Sequence, residues 1–217
     1  MVTRIEPARH TAGLILAGGG GRRFGGQNKA LLQLGNGTLL DRAINTLSPQ
    51  CVTVGLSCGA TTSWAKSLSL PLITDAVLEV GPLGGIASGL LWARDENPEI
   101  THVLSVPVDC PFLPADLTKR LSAAVSDSDS LIAVCVSGNR RHSAAALWPV
   151  TMANELHTAI KTRTDRAVHE WQDQRGTVEV KWHIEGPDPF FNVNSLEDLS
   201  EAAKLLGVAC SSDTKLP

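Results

Sequence analysis

A short apolar run, Gly13 to Ala17 (GLILA), leads directly into LAGGGGRRFGGQNKALL, Leu16 to Leu32. Six glycines (Gly18, Gly19, Gly20, Gly21, Gly25 and Gly26) fall within nine residues there. An apolar run that ends in a glycine cluster reads as a buried strand feeding a loop. Glycine permits positive φ and lets a ligand approach the backbone closely. Successive exposed N–H groups then form a nest for anions, and Arg22, Arg23 and Lys29 add three positive charges. In a doubly wound sheet, the turn after the first strand is where a nucleotide binds. The loop is not a dinucleotide fingerprint. Counting G-x-G-x-x-G from Gly18 puts Arg23 at the third glycine, and counting from Gly19 puts Phe24 there. Nor is it a Walker A loop, because Ala30 follows Lys29 where Ser or Thr is required.

The rest of the chain supplies matching elements. Strands are expected at Cys51 to Leu56, Leu70 to Thr74, His102 to Val106, Leu131 to Val136, Ser143 to Leu147 and Val178 to Ile184. Thr38 is placed to cap a helix through DRAINTL, with Asp41 three residues on. Helices are also expected from Gly84 to Arg94, from Pro114 to Val125 with proline at its start, from Thr151 to Lys161 and from Arg166 to Gln172. Ser195 caps a last helix through Leu206, with Asp198 at its third position. Strands and helices alternate over roughly the first 135 residues, which predicts an α/β fold: a mostly parallel sheet with helices on both faces. The expected organisation is an N-terminal extension over 1–12, one domain over 13–207 and a tail over 208–217.

Composition excludes several classes. Hydrophobic residues make up 43% and charged residues 19%, enough for a packed core. The net charge of −3 argues against a nucleic-acid binder, which carries a basic stripe. No apolar run approaches ~18 residues, so no membrane span is expected. The start, MVTRIEPARH, lacks the apolar core of a signal peptide. The five cysteines (Cys51, Cys58, Cys110, Cys135 and Cys210) show no CxxC spacing, so neither a zinc site nor a disulfide framework follows. Cytoplasm is the expected compartment.

Two acidic positions stand near the loop in this scheme. In SVPVDCPFLP, Asp109 lies just past an apolar strand, at the carboxyl edge of the expected sheet. A carboxylate there suits Mg²⁺, which takes one or two carboxylates plus phosphate oxygens; a turn or capping aspartate has the same local signature. In TDAVLEVGPLGGIASGL, Asp75 precedes a glycine turn that opens a helix, another wall for a nucleotide. FFNVNSLEDL, Phe190 to Leu199, is by itself a strand end with a helix cap. The basic run Arg140, Arg141, His142 fits a solvated turn between strands as well as an anion contact. His102, His157 and His169 read as structural or surface residues. Cys110 adjoins Asp109 but has no paired histidine in the sequence, and it is not assigned as a nucleophile.

The run LAGGGGRRFGGQNKALLQL resembles the signature of the molybdenum cofactor guanylyltransferases, LAGG-x-x-x-R-M/F-G-G-x-D-K. DCPFLP resembles that family's D-x-P-F/Y-L/I-P, GPLGG its GPLAG, and FFNVNSLEDL its F-x-N-V/I-N-T/S-P-E-D-L. RRHSAAALW matches R-P-H/Q-P-L-F-A-L-W/Y more loosely, with Ser143 at the proline and Ala145 near the bulky position. The resemblance runs from Leu14 to about Leu206. It implies a Rossmann-like nucleotidyltransferase fold and Mg²⁺-dependent transfer of GMP from GTP to the phosphate of molybdopterin, releasing pyrophosphate. It implies nucleotide contacts from Leu16, Ala17, Gly18, Gly19, Lys29, Asp75 and Asp109, catalytic roles for Arg23, Lys29 and Asp109, and metal binding by Asp109. Arg140, Arg141, His142, Asn192 and Asn194 fall on the acceptor side. Molybdenum-insertion proteins and molybdoenzyme chaperones are the partners it implies, with no nucleic acid or membrane. The chain departs from the pattern at Asn28, where the family has Asp, and at Gly55 to Ser57, where a nucleotide-contacting Asn is expected. The alternatives are cytidylyl transfer to molybdopterin, whose enzymes read LAAG and lack GPLxG, nucleotidyl transfer to another small phosphorylated acceptor, and a non-catalytic nucleotide-binding protein.

Overall fold

The computed structural model describes residues 10–18, 24, 27–59, 63–74, 81–162 and 167–208. Nine strands are present among them: β1 (Thr11–Leu16), β2 (Gln33–Leu34), β3 (Gly37–Thr38), β4 (Thr53–Cys58), β5 (Leu72–Thr74), β6 (His102–Pro107), β7 (Ile132–Ser137), β8 (Arg140–Pro149) and β9 (Thr177–Trp182). The helices are α1 (Leu39–Leu47), α2 (Pro82–Glu96), α3 (Leu117–Ser126), α4 (Ala153–Thr162), α5 (Val168–Asp173) and α6 (Leu196–Leu206). Seven strands form one sheet in the order β5-β4-β1-β6-β8-β7-β9, and β2 and β3 form a separate small hairpin. Every pairing in the large sheet is parallel except those of β8, which runs antiparallel to β6 and β7.

Strand periodicity divides the core into two layers. On β1, Ile15 packs on one face of the sheet while Ala12 and Leu14 pack on the other; on β8, Ala145 and Leu147 oppose Ala146 and Trp148. The first face is covered by α1 and α3, through Leu40, Leu47, Leu117 and Leu121. The second is covered by α2, α4 and α5, through Ile86, Leu90, Leu156 and Trp171. Gly89 allows α2 to lie close to β1: a Cβ there would meet Leu14 Cδ2 at 2.3 Å. The expected α/β fold, with a mostly parallel sheet and helices on both faces, is the observed one.

The differences are local. β1 begins at Thr11, which pairs with His102, so Thr11 and Ala12 belong to the sheet. β4 starts two residues later than expected because its register against β1 pairs Ala12 with Thr53. Helix α3 begins at Leu117, not Pro114. The Pro114 carbonyl accepts from Gln50 Nε2, and Gln50 Oε1 accepts from Thr118 N, so a buried side chain from elsewhere in the fold sets this helix start. Both expected capping boxes are present: Thr38 with Asp41 on α1, and Ser195 with Asp198 on α6. No described helix is long and apolar enough to cross a membrane.

Candidate active site at the carboxyl edge of the sheet

Leu16 closes β1 opposite Pro107 of β6. Its carbonyl accepts from Val108 N at 3.1 Å, and Ala17 N donates to Ser57 O at 2.8 Å, so the chain leaving β1 is pinned between β4 and β6. That register brings Gly18, which is exposed, and Asp109 to the same edge. Gly19, Arg23 and Asp75 lie outside the described residues.

Beyond the loop, Asn28 Oδ1 accepts from Ala30 N at 2.9 Å and caps a one-turn 3₁₀ helix, Lys29–Leu31. The cap needs only an acceptor oxygen, so the Asn28 amide serves as a carboxylate would. Phe24 anchors the segment in a third apolar cluster with Leu32, Leu34, Leu39, Val193 and Leu199. This cluster joins the loop to α6 and brings the residues before α6, Asn192 to Asn194, against the edge.

Lys29 Nζ donates to Asp109 Oδ2 at 2.5 Å and to Asn194 Oδ1 at 2.9 Å. One ammonium therefore ties together three segments that are far apart in sequence. Lys29 and Asp109 retain 17% and 18% side-chain exposure, so the pair stands at a surface a ligand can reach. The Lys29 ammonium also lies 5.9 Å from the Phe24 ring centroid, a cation–π contact. Val193 N donates to Asp109 O at 2.9 Å, which fixes the backbone of the 192–194 arm beside the aspartate. Asp198 Oδ2 accepts from Asn194 N and Ser195 N, anchoring the other end of that arm.

Cys110 donates its thiol to Asn192 Oδ1 at 3.0 Å, a contact that sequence reasoning missed after setting this cysteine aside as a nucleophile. Burial pushes its thiol well above the usual cysteine range, with Asp109 adding in the same direction. The group is a neutral donor, not a thiolate.

The basic run opens β8. Its position at the carboxyl edge follows from the antiparallel register, in which Ser105 of β6 faces Ala146. Arg140 is exposed. Arg141 is not available in the same way: its guanidinium donates to Asp173 Oδ1 and to Gln172 Oε1 on α5. His142 is 8% exposed, bonds Ser137 Oγ through Nε2 at 2.7 Å and stacks on Phe190 at 4.7 Å. Burial pushes its pKa down, with Asp188 opposing and Arg140 reinforcing the shift. Phe190 is fully buried and also meets Trp182 edge-on. His142 thus packs against Phe190, two residues before Asn192. The apolar Phe190 before that arm was the one sequence signal for this packing.

The profile of the MobA-like NTP transferase domain matches residues 13–177. A molybdenum cofactor guanylyltransferase of Mesorhizobium japonicum is 40% identical over 202 residues, covering 91% of this chain and 97% of its relative. A protein of the same description from Nitrobacter hamburgensis is 37% identical, covering 94% of this chain and 97% of its relative. Among solved structures, molybdopterin-guanine dinucleotide biosynthesis protein A from Archaeoglobus fulgidus superposes with a TM-score of 0.70 at 20% identity, over 90% of this chain and 98% of that one. The last match bears on the fold alone.

Proposed function

This chain belongs to the MobA-like NTP transferase family, and from that premise we propose that it transfers GMP from GTP to the phosphate of molybdopterin and releases pyrophosphate. The observation that carries the reading is the convergence of Lys29, Asp109 and Asn194 at the carboxyl edge, beside the exit of β1. An acceptor phosphate oxygen attacks the α-phosphorus of GTP in line with the leaving pyrophosphate. One P–O bond forms as the bond bridging the α- and β-phosphates breaks. Such chemistry needs positioning and charge neutralisation more than a covalent enzyme intermediate.

The residues fit Mg²⁺. Among the described residues no group of three or more His, Cys, Asp or Glu is assembled, so no all-protein cage is offered. Mg²⁺ favours one or two carboxylates together with substrate phosphates, and Asp109 supplies the carboxylate. Bound there, the ion supplies charge neutralisation on the phosphate oxygens. Lys29 and Asp109 pair with each other; with nucleotide bound, Lys29 would contact the phosphate oxygens and Asp109 would hold the ion. Lys29, Arg23 and the loop amides from Gly18 and Gly19 onward hold the triphosphate, Leu16 and Ala17 set where the loop leaves the sheet through their own bonds to Val108 N and Ser57 O, and Asp75 lines the nucleotide. Arg140 is the exposed cation on the acceptor side, with His142 and Arg141 shaping the β8 end beneath it.

Guanine is favoured over cytosine by LAGG and GPLGG. The test is direct: incubation with molybdopterin, Mg²⁺ and each nucleoside triphosphate in turn, with the dinucleotide product identified by mass. GTP should be the preferred donor, and comparable turnover with CTP would assign the chain to cytidylyl transfer.

A further inference from the structure

Asn192 and Asn194 both turn their side-chain oxygens toward the protein. Asn194 Oδ1 accepts from Lys29 Nζ at 2.9 Å, and Asn192 Oδ1 accepts from Cys110 Sγ at 3.0 Å. A primary amide carries its acceptor and its two donors on opposite arms, so fixing the oxygen aims the NH₂ group away. Among the described residues neither Nδ2 has a protein partner. The Cys110 thiol is buried, and the only other acceptor within its reach there, Asp109 Oδ1, is a long 3.8 Å away. If the Asn192 amide were flipped, its NH₂ would face sulfur, a weak acceptor, and its oxygen would face the ligand side.

We propose that Cys110 is a positioning residue: its S–H holds Asn192 with Nδ2 outward, so that Asn192 and Asn194 together present N–H donors to the anionic phosphate of the acceptor. The inference rests on the transfer reading above for the identity of that phosphate. The arm does not depend on the thiol for its place. Val193 is fully buried and its N–H is bonded to Asp109 O, so loss of the thiol releases the amide and leaves the backbone where it is.

The experiment compares Cys110→Ala, Cys110→Ser, Asn192→Ala and the Cys110→Ala, Asn192→Ala double variant. Cys110→Ala should raise the KM for molybdopterin about 10-fold while GTP affinity by calorimetry is unchanged, because only acceptor binding is affected. Cys110→Ser, which keeps a donor, should return to within about 3-fold of the parent. The double variant should be no worse than Asn192→Ala, because the thiol acts through that amide. Equal losses in the alanine and serine variants, or losses that multiply in the double variant, would overturn the proposal. A second readout is independent of turnover. The Asn192 side-chain NH₂ resonance, assigned by its disappearance in Asn192→Ala, should move in Cys110→Ala and return in Cys110→Ser; a resonance unmoved by Cys110→Ala rejects the orientation. Absence of GMP transfer by the parent enzyme would overturn the transfer reading instead, and the resonance would still decide the orientation.

Discussion

Lys29 and Arg141 are both cations at the carboxyl edge of one sheet, and their partners come from different kinds of structure. Lys29 reaches Asp109, just past β6, and Asn194, just before α6, so its contacts join three loop segments around a reachable surface. Arg141 reaches Asp173 and Gln172 on a single packed helix. Gln172 is fully buried and donates back to Ser143 O, so this second set fastens α5 to β8. The difference teaches that a positive residue near a site is not thereby a charge offered to a ligand. What matters is whether its partners are exchangeable for phosphate or are part of the packing. By that criterion the basic run divides: Arg140 is exposed, Arg141 is committed to α5 and His142 is committed to Phe190 and Ser137.

The contrast can be broken by substitution, and the largest effect is expected at Asp109. Asp109→Asn keeps the shape and deletes the charge, so GMP transfer should fall ~100-fold or more with thermal stability little changed. Near-normal turnover would remove Asp109 from the proposed metal site. Lys29→Ala should come next, with weaker GTP binding and transfer slowed about 10-fold or more, and a melting temperature shifted by no more than a few degrees. A large loss of stability with intact kinetics would make Lys29 a structural cation of the Arg141 kind.

The two arginines should then separate. Arg141→Ala leaves the buried Gln172 oxygen without its donor and should cost about 1–2 kcal/mol of stability, read by denaturant unfolding, with acceptor KM unchanged. Arg140→Ala should leave stability unchanged and raise acceptor KM a few-fold, as expected for one exposed phosphate contact. Reversal of these two outcomes would overturn the division of the basic run.

The smallest effect is one of pH. The folded-state pKa of His142 lies below the ordinary imidazole value of about 6.5 because burial disfavours the cation. The unfolded chain therefore binds the proton more readily. Stability from this group is fully present above about pH 6.5 and is lost as pH falls through the depressed folded value. Melting temperatures measured from neutral to mildly acid pH should fall less steeply for His142→Gln than for the parent. Parallel slopes would remove this imidazole from the acid sensitivity.

Much of the site was legible because its signals are local. The strand–loop transition at Leu16 to Gly18, the position of Asp109 one turn past β6 and the two capping boxes all involve residues within a few positions of each other. The start of α3 was not legible, because the rule that favours proline in a first turn is weaker than a buried glutamine arriving from residue 50. The roles of Arg141 and Cys110 were equally hidden. Their partners lie 32 and 82 positions away, and no pattern around either residue encodes them.

The sequence alone determined the α/β class and the two capping boxes, because hydrophobic period and capping act over a few residues, and a motif resemblance singled out Lys29 and Asp109. The tertiary structure decided which charges meet. It inserted β8 antiparallel between β6 and β7, used the third apolar cluster to bring Asn194 to Lys29 across 165 positions, and turned Arg141 into a fastener for α5. Those outcomes depend on packing between distant segments, where the cost of leaving a buried polar group unpaired, and not local propensity, selects the partner.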